Sequence, residues 1–259
     1  MQLFGIDIGG SGIKGAPVDL LRGELSTERY RIPTPQPSIP DAVGDVVAEI
    51  VSHFGWQGTI GCTFPAVVKK GVTYSAANVD KSWIRYDVKA LLEKKLGRSV
   101  ILINDADAAG IAEMEYGAGQ GQMGTVIMLT FGTGIGSAVF VGGKLVPNTE
   151  FGHLDIRGKD AEDRASDRIR QKKELDWKQW AKRINELLSH LDILFSPDMY
   201  IIGGGISKKH KKFLRYLRTE AEVVPAQLLN NAGIVGAALA AQYQTPTEDG
   251  IVSNESVTK

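Results

Sequence analysis

The chain has 259 residues, enough for one large domain or two smaller ones, and 43% of them are hydrophobic, which excludes a wholly disordered protein. Its 30 Lys and Arg residues balance its 30 Asp and Glu residues, which argues against a protein that coats nucleic acid. The single cysteine, Cys62, excludes a disulfide within the chain and a cysteine-rich zinc site. No signal peptide or membrane-spanning run is visible, so we expect a cytoplasmic protein.

The first part of the chain is predicted to form strands that alternate with helices. Apolar runs and glycine or proline breaks predict, in order, a strand over 3–8, a returning strand over 16–20, a helix from 41 to 55, a strand over 59–64, a helix over 88–96, a strand over 99–103 and a helix over 106–116. This alternation is typical of α/β proteins.

A second cycle of the same kind follows. It comprises a strand over 125–130, a returning strand over 137–141, a hairpin into 144–147, a helix over 177–195, a strand over 199–202, a basic helical segment and a helix over 232–243. Each half therefore opens with a strand, a glycine-rich turn and a returning strand. This weak repeat favours a duplicated two-lobe α/β protein over one continuous sheet.

The first strand runs into a candidate phosphate loop, DIGGSGIK. Glycines allow backbone amides to approach a phosphate closely, and a lysine adds positive charge. Asp7, at the strand end, could hold a magnesium ion directly or through water. The alternative interpretation is a plain tight hairpin. The candidate phosphate-binding residues are Gly9, Gly10, Ser11, Gly12 and Lys14.

A second glycine-rich turn, LTFGTGIG, opens the second cycle. It lacks the GK[ST] ending of a Walker A loop, and it leads into a strand rather than the helix that follows a dinucleotide-binding fingerprint. A turn of this kind between two strands can still hold phosphate, although it can also be an ordinary hairpin. Its candidate residues are Gly132, Thr133, Gly134 and Gly136.

Two further segments carry polar chemistry. Asn104 and Asp105 end a buried strand, where a carboxylate could accept a proton from a sugar hydroxyl or could simply cap the next helix. Glu150 and His153 could hydrogen-bond polyol hydroxyls, although such a pair is more often an ordinary surface feature.

Taken in order, the motifs DIGGSGIKG, ND before an alanine-rich helix, LTFGTGIGSA, EFGH and IIGGGIS resemble the ROK family of sugar kinases. The resemblance runs from Leu3 to Tyr243. Within that family, TFPAVVKKGVTYSAANVDKSW and RGKDAEDRAS are similar to the polyphosphate glucokinases, which phosphorylate glucose at its 6-hydroxyl from inorganic polyphosphate, often alongside or in place of ATP.

The resemblance implies an actin-like, ribonuclease H-like fold of two α/β lobes with a ligand cleft between them. Residues 1–108 with 231–245 would form a small lobe and residues 109–230 a large one, with 246–259 as a flexible tail. It also implies a homodimer.

The resemblance further implies a role for each motif. Asp105 would be the general base, both glycine loops would hold phosphates, and magnesium would lie near Asp7. Gly203, Gly204 and Gly205 would lie on the nucleotide side. The residues expected to hold the sugar are Asn78, Asn104, Asp105, Glu150, His153 and Glu162.

Two departures from the family pattern shape these expectations. Many members bind zinc through cysteines after the GH motif, but no cysteine follows Cys62, so we expect no zinc. Glu162 is assigned the role of the family's later sugar-binding Glu without these cysteines to guide the alignment. Family repressors carry a helix-turn-helix ahead of the first motif, whereas only a short segment precedes Asp7. We therefore expect no nucleic-acid and no membrane partner.

The expected activity is a polyphosphate-dependent glucokinase, with mannose as a further acceptor. The segment 207–218 holds six Lys or Arg residues and no acid, and it could guide a polyphosphate chain or be a solvated basic face. The alternatives are a strictly ATP-dependent kinase, a non-catalytic sugar sensor and a filament-forming actin relative. The lysines in question are Lys208, Lys209, Lys211 and Lys212.

Overall fold

The structure is a computed structural model that describes residues 1–75 and 79–244. The predicted sugar contact Asn78 and the predicted tail 246–259 lie outside the described residues. The strands are β1 (Gln2–Gly9), β2 (Gly12–Asp19), β3 (Glu24–Leu25), β4 (Tyr30–Ile32), β5 (Ile60–Phe64), β6 (Val68–Lys69), β7 (Val72–Thr73), β8 (Val100–Asn104), β9 (Thr125–Phe131), β10 (Ile135–Val141), β11 (Lys144–Val146), β12 (Met199–Gly203) and β13 (Glu222–Pro225). The helices are α1 (Pro40–His53), α2 (Val88–Leu96), α3 (Asp105–Tyr116), α4 (Glu162–Ala165), α5 (Asp167–Lys172), α6 (Trp177–Phe195) and α7 (Ala232–Gln244).

Two sheets repeat one plan. In the first, the order is β3-β2-β1-β5-β8 with β4 also on β2, and in the second it is β11-β10-β9-β12-β13. Each sheet is built on an antiparallel hairpin, β1–β2 or β9–β10, to which a later strand adds in parallel, β5 on β1 or β12 on β9. The predicted α/β fold class is confirmed, and the glycine turns of the two hairpins hold equivalent places.

The last helix packs against the first sheet. A side chain at Gly61 would bring its Cβ 1.7 Å from the Ala237 carbonyl oxygen of α7, and one at Gly5 would lie 1.9 Å from the Ile234 carbonyl oxygen. Ile234 and Ala237 are fully buried. The α7 backbone therefore lies directly on β1 and β5, where only glycine leaves room for it.

The second sheet is covered by α6. Asp176 and Gln179 form a capping box at its first turn, and Ser196 ends it in the left-handed region. Its buried face includes Trp180, whose indole N–H donates to the Ala165 carbonyl oxygen at 2.8 Å. This bond joins α6 to α4, the short helix that contributes to the site below.

The structure departs from the predicted elements in a few places. The basic segment is a 3₁₀ helix over Gly205–Lys212 rather than an α-helix, with non-helical angles at Lys209. Short strands such as β3, β4, β6 and β13 had no clear pattern in the sequence, because two to four residues are too few to show periodicity. The lobe boundaries stay a prediction.

The helices among residues 1–75 and 79–244 do not include one with the length and apolar character that crossing a bilayer requires.

Replacing Gly61 by alanine should destabilise the protein by about 3 kcal/mol or more, at the upper end of the cost of overpacking, because the backbone of α7 must move away from β5. Urea unfolding measures this change. Gly58→Ala is the control, since its Cβ would meet only Trp56 at an ordinary 3.4 Å. Equal stability of the two variants would contradict the close approach of α7.

Candidate active site

A cavity of about 480 Å³ brings most of the predicted site residues together. We call it the large cavity. Both glycine turns and the polar residues that follow β8 and β11 face it. The predicted residues that line it are Gly9, Gly10, Ser11, Asn104, Asp105, Gly132, Thr133, Gly134, Gly136, Glu150, His153, Glu162 and Gly204.

The first glycine turn is a tight hairpin whose tip is open to the large cavity. Gly9 pairs with Gly12 across β1 and β2, which leaves Gly10 and Ser11 as the exposed two-residue turn. The exposed Arg31 guanidinium donates to the Ser11 carbonyl oxygen at 2.8 Å. Gly12 itself is buried and does not line the cavity. Arg31, which the motif did not reveal, adds a positive charge beside this turn.

The second glycine turn is held by Arg168. The backbone N–H of Arg168 donates to the Gly132 carbonyl oxygen at 3.1 Å, and its Nε donates to the Thr133 carbonyl oxygen at 2.9 Å. Both carbonyl groups are thereby bound to the first turn of α5. Arg168 lies 35 residues along the chain from Thr133, so only the folded structure reveals this support.

Asn104, rather than Asp105, caps α3. Its Oδ1 accepts from the backbone N–H groups of Ala106 at 2.8 Å and Asp107 at 3.0 Å. Its Nδ2 donates to the Ala66 carbonyl oxygen at 3.1 Å. The Asn104 side chain thus uses its oxygen and one of its two amide N–H groups for bonds within the protein, which leaves the second N–H for a ligand. Asp105, the first helical residue, lines the cavity while its Oδ1 accepts from the Ala106 N–H at 2.8 Å.

The pKa of the Asp105 carboxyl lies close to neutral pH. Burial raises its pKa to about 7, the nearby Asp7 carboxylate adds to the increase, and a hydrogen bond from the Ala106 N–H opposes it. Burial likewise raises the pKa of Asp107 to about 7. A carboxyl with such a pKa can accept and release a proton near physiological pH.

Glu150, His153 and Glu162 form the opposite wall. Burial raises the pKa of Glu150. His153 Nδ1 lies 2.8 Å from Asp160 Oδ2, and this hydrogen bond is the main reason why the pKa of His153 is raised. The other ring nitrogen is thereby left for a ligand. Glu162 Oε2 accepts from the Ile135 N–H at 3.2 Å, which places it beside the second turn.

A smaller cavity of about 230 Å³ adjoins the large one and shares Asp105 and Gly204 with it. Asp7, Lys14 and Gly205 also line it. Asp7 Oδ2 lies 2.9 Å from Lys14 Nζ, and its Oδ1 accepts from the Thr63 hydroxyl at 3.0 Å. Asp7 and Asp105 thus place two mutually repelling carboxylates on the small cavity. Carboxylate oxygens are ligands that suit a hard cation such as Mg²⁺.

Some predicted residues lie outside both cavities. Gly203 is buried at the end of β12. The lysines of the 3₁₀ segment are exposed and line neither cavity, and Lys212 Nζ lies 5.6 Å from the centre of the Trp177 ring. Within the described part of the chain, no three His, Cys, Asp or Glu side chains are grouped to hold a metal ion.

One loop ties the wall of the large cavity to β6, which pairs with β7 in a separate two-stranded sheet, and to α3. Asn148 Oδ1 accepts from the Val68 N–H at 2.8 Å, and its Nδ2 donates to the Val68 carbonyl oxygen at 3.0 Å. Its own backbone N–H donates to the buried Asp107 Oδ2 at 2.8 Å. The residue adopts a left-handed φ of 59°. Asn148 therefore fixes the position of Glu150, two residues later, relative to Asp105.

Comparison with known proteins agrees with this geometry. Residues 3–168 match the model of the ROK family. The chain belongs to the ROK family. It is 51% identical to a protein named polyphosphate glucokinase from Mycobacterium tuberculosis over 243 residues, which cover 93% of this chain and 92% of that one.

Solved structures give the same result. A polyphosphate/ATP-glucomannokinase from an Arthrobacter species superposes with a TM-score of 0.91 at 50% identity, over 94% of this chain and 99% of that one. A ROK glucokinase from Streptomyces griseus, solved with glucose and AMPPNP, superposes with a TM-score of 0.80 at 26% identity, over 94% and 100%. The actin-like two-lobe fold is therefore confirmed.

Replacing Asn148 by glycine keeps the left-handed backbone but removes both side-chain bonds to Val68. We expect a loss of about 1 to 2 kcal/mol in the free energy of unfolding, from about 1 kcal/mol for each bond. Urea unfolding measures it. Glu174→Gly is the matched control, because Glu174 is an exposed residue with a left-handed φ of 50°. An equal loss in both variants would refute the role of the Asn148 side chain.

Proposed function

We propose that the protein is a polyphosphate-dependent glucokinase that phosphorylates glucose, and also mannose, at the 6-hydroxyl from inorganic polyphosphate or ATP. One observation carries the proposal. Asp105, a carboxyl with a pKa of about 7, lies where a cavity lined by two glycine turns meets a polar wall of Glu150 and His153. The identity to polyphosphate glucokinases supports the choice of donor and acceptor.

In this mechanism Asp105 accepts the proton of the sugar 6-hydroxyl as that oxygen attacks the terminal phosphoryl group of the donor. The bridging P–O bond to the rest of the donor breaks, and ADP or a polyphosphate shorter by one unit leaves. Its elevated pKa brings its basicity close to that required at neutral pH. Glu150, His153 and Glu162, with the remaining N–H of Asn104 and with Asn78, would hold the other hydroxyls and so orient the one that reacts.

The donor phosphates would lie against both glycine turns, where backbone N–H groups and the positive charges of Lys14 and Arg31 offset their charge. Asp7 would hold the magnesium ion, directly or through water, and the ion would neutralise charge on the phosphates. We expect no zinc in this mechanism.

The nucleotide-side segment would accept the remainder of the donor. Gly204 and Gly205 line the small cavity, and Gly203 ends the strand that delivers them. Lys208, Lys209, Lys211 and Lys212 would attract an extended polyphosphate chain more strongly than the adenosine of ATP. We also propose a cytoplasmic homodimer with no nucleic-acid or membrane partner, in keeping with the family resemblance.

Asp105→Asn should lower kcat about 10²- to 10⁴-fold, the usual contribution of general base catalysis, while glucose binding is nearly unchanged. In the wild-type enzyme, kcat/KM for glucose should fall as the pH decreases through about 7, because protonated Asp105 cannot accept the hydroxyl proton. Steady-state kinetics and glucose titration measure both effects. Wild-type turnover in the variant would exclude Asp105 as the base.

A coupled assay of glucose 6-phosphate formation, with purified polyphosphate or ATP as donor, tests the activity itself. We expect turnover with polyphosphate. Turnover with ATP alone would establish the strictly ATP-dependent alternative, and glucose binding without turnover would establish the sugar sensor.

In the same assay, replacing all four lysines of the 3₁₀ segment by glutamine should raise the KM for polyphosphate more than the KM for ATP. Equal increases would refute a polyphosphate role for these lysines.

A further inference from the structure

A basic cavity of about 400 Å³ lies between α4, α5 and α6, separate from the two cavities described above. We propose that it is an outer subsite for a long inorganic polyphosphate whose reacting end occupies the large cavity. The inference rests on the proposed function and extends it, because it concerns where the donor continues after it leaves the reacting centre. The positively charged residues of the basic cavity are Lys159, Arg164, Lys173, Lys182 and Arg183.

The charge of the basic cavity is strongly unbalanced. Only two carboxylates, Asp163 and Glu186, line it. Both are already paired with arginines, Asp163 with Arg168 at 3.5 Å, and Glu186 with Arg157 at 3.1 Å and with Arg164. The remaining cations are therefore not neutralised by the acids of the cavity itself. Such a surface attracts polyanions and releases counterions when they bind.

Several donors in the basic cavity are available to a ligand. Lys159, Lys173 and Lys182 are exposed, and the described part of the structure gives none of them an ion pair with a carboxylate. Arg183 donates to the Arg164 carbonyl oxygen at 3.0 Å, which holds the Arg183 guanidinium beside the backbone of α4. Phosphate oxygens are the acceptors that such groups bind well.

Residues of α4 and α5 relate the basic cavity to the second glycine turn. Glu162 lines the large cavity, and the next residue, Asp163, lines the basic one. Arg168 spans the two, because its Nε donates to the Thr133 carbonyl oxygen of the second glycine turn and its NH2 lies 3.5 Å from Asp163. In the proposed path, a chain that leaves the second turn would follow Arg168 to Asp163, at the edge of the basic cavity.

The lining favours polyphosphate over a nucleic acid. Proteins that bind single strands stack the bases on aromatic side chains, and the only apolar side chain among the lining residues is Leu175. A polyphosphate chain has no bases, so cations alone suffice to bind it. This subsite differs from the lysines of the 3₁₀ segment, which line neither the large nor the basic cavity.

Two double variants of equal charge test the subsite. In K173Q/K182Q both substituted lysines line the basic cavity, one directly after α5 and the other in α6. In K172Q/K178Q the substituted lysines are exposed residues of α5 and α6 that do not line it. The measurements are equilibrium binding of fluorescently labelled long polyphosphate, the KM for long polyphosphate, and the constant with which tripolyphosphate competes. Circular dichroism checks that both variants fold.

We expect K173Q/K182Q to weaken long-chain binding and raise the corresponding KM about five-fold, the effect of losing two exposed ion pairs of ordinary strength. The tripolyphosphate constant should be the same as in the wild type, because a short chain occupies only the large cavity. K172Q/K178Q should change the long-chain values less than two-fold, as expected when charges outside the subsite are removed.

Equal effects of the two double variants would overturn the subsite in favour of a general electrostatic field, and so would unchanged long-chain binding in K173Q/K182Q. Displacement of polyphosphate by single-stranded nucleic acid at physiological salt would also count against it. A wild-type protein that binds long polyphosphate but forms no glucose 6-phosphate from it would refute the proposed function alone, since binding does not require turnover.

Discussion

The site depends on how the chain passes from β8 into α3. The first N–H groups of a helix need acceptors, and Asn104 supplies one while its amide is tied to the Ala66 carbonyl oxygen. Because this cap fixes the junction, the next side chain, Asp105, has a defined direction towards both cavities. The glycine turns and the polar wall are arranged around that one carboxyl.

Negative charge is concentrated around this junction. Asp7, Asp105, Asp107 and Glu150 lie close enough for their repulsion, together with burial, to raise pKa values. A protein with no net charge therefore separates charge locally, with acids around Asp105 and cations in the basic cavity. A donor that carries many negative charges and arrives with a divalent cation complements both regions.

The loop after β11 is held by contacts with residues remote in the sequence. Asn148 binds both backbone groups of Val68 in β6 and reaches Asp107 in α3, so the loop that leads to Glu150 is fixed relative to the helix that begins at Asp105. On the other side, α7 returns to lie directly on glycines of β1 and β5. The distance between Asp105 and Glu150 is thus set by contacts between residues remote in sequence.

Elements with strong periodicity or turn chemistry could be predicted from the sequence, such as α2 with its Gly97 end and α6 from Trp177 to Phe195, and so could most residues that line the large cavity. These features are local, because periodicity, caps and glycine turns are properties of short segments. The folded structure was needed to show that Asn104 is the cap and that Asp105 lines the cavity. It was also needed to find the contacts of Arg31, Asp160 and Arg168 with the site, and the basic cavity. Those relations join residues far apart in the chain, and no pattern within a single segment records them.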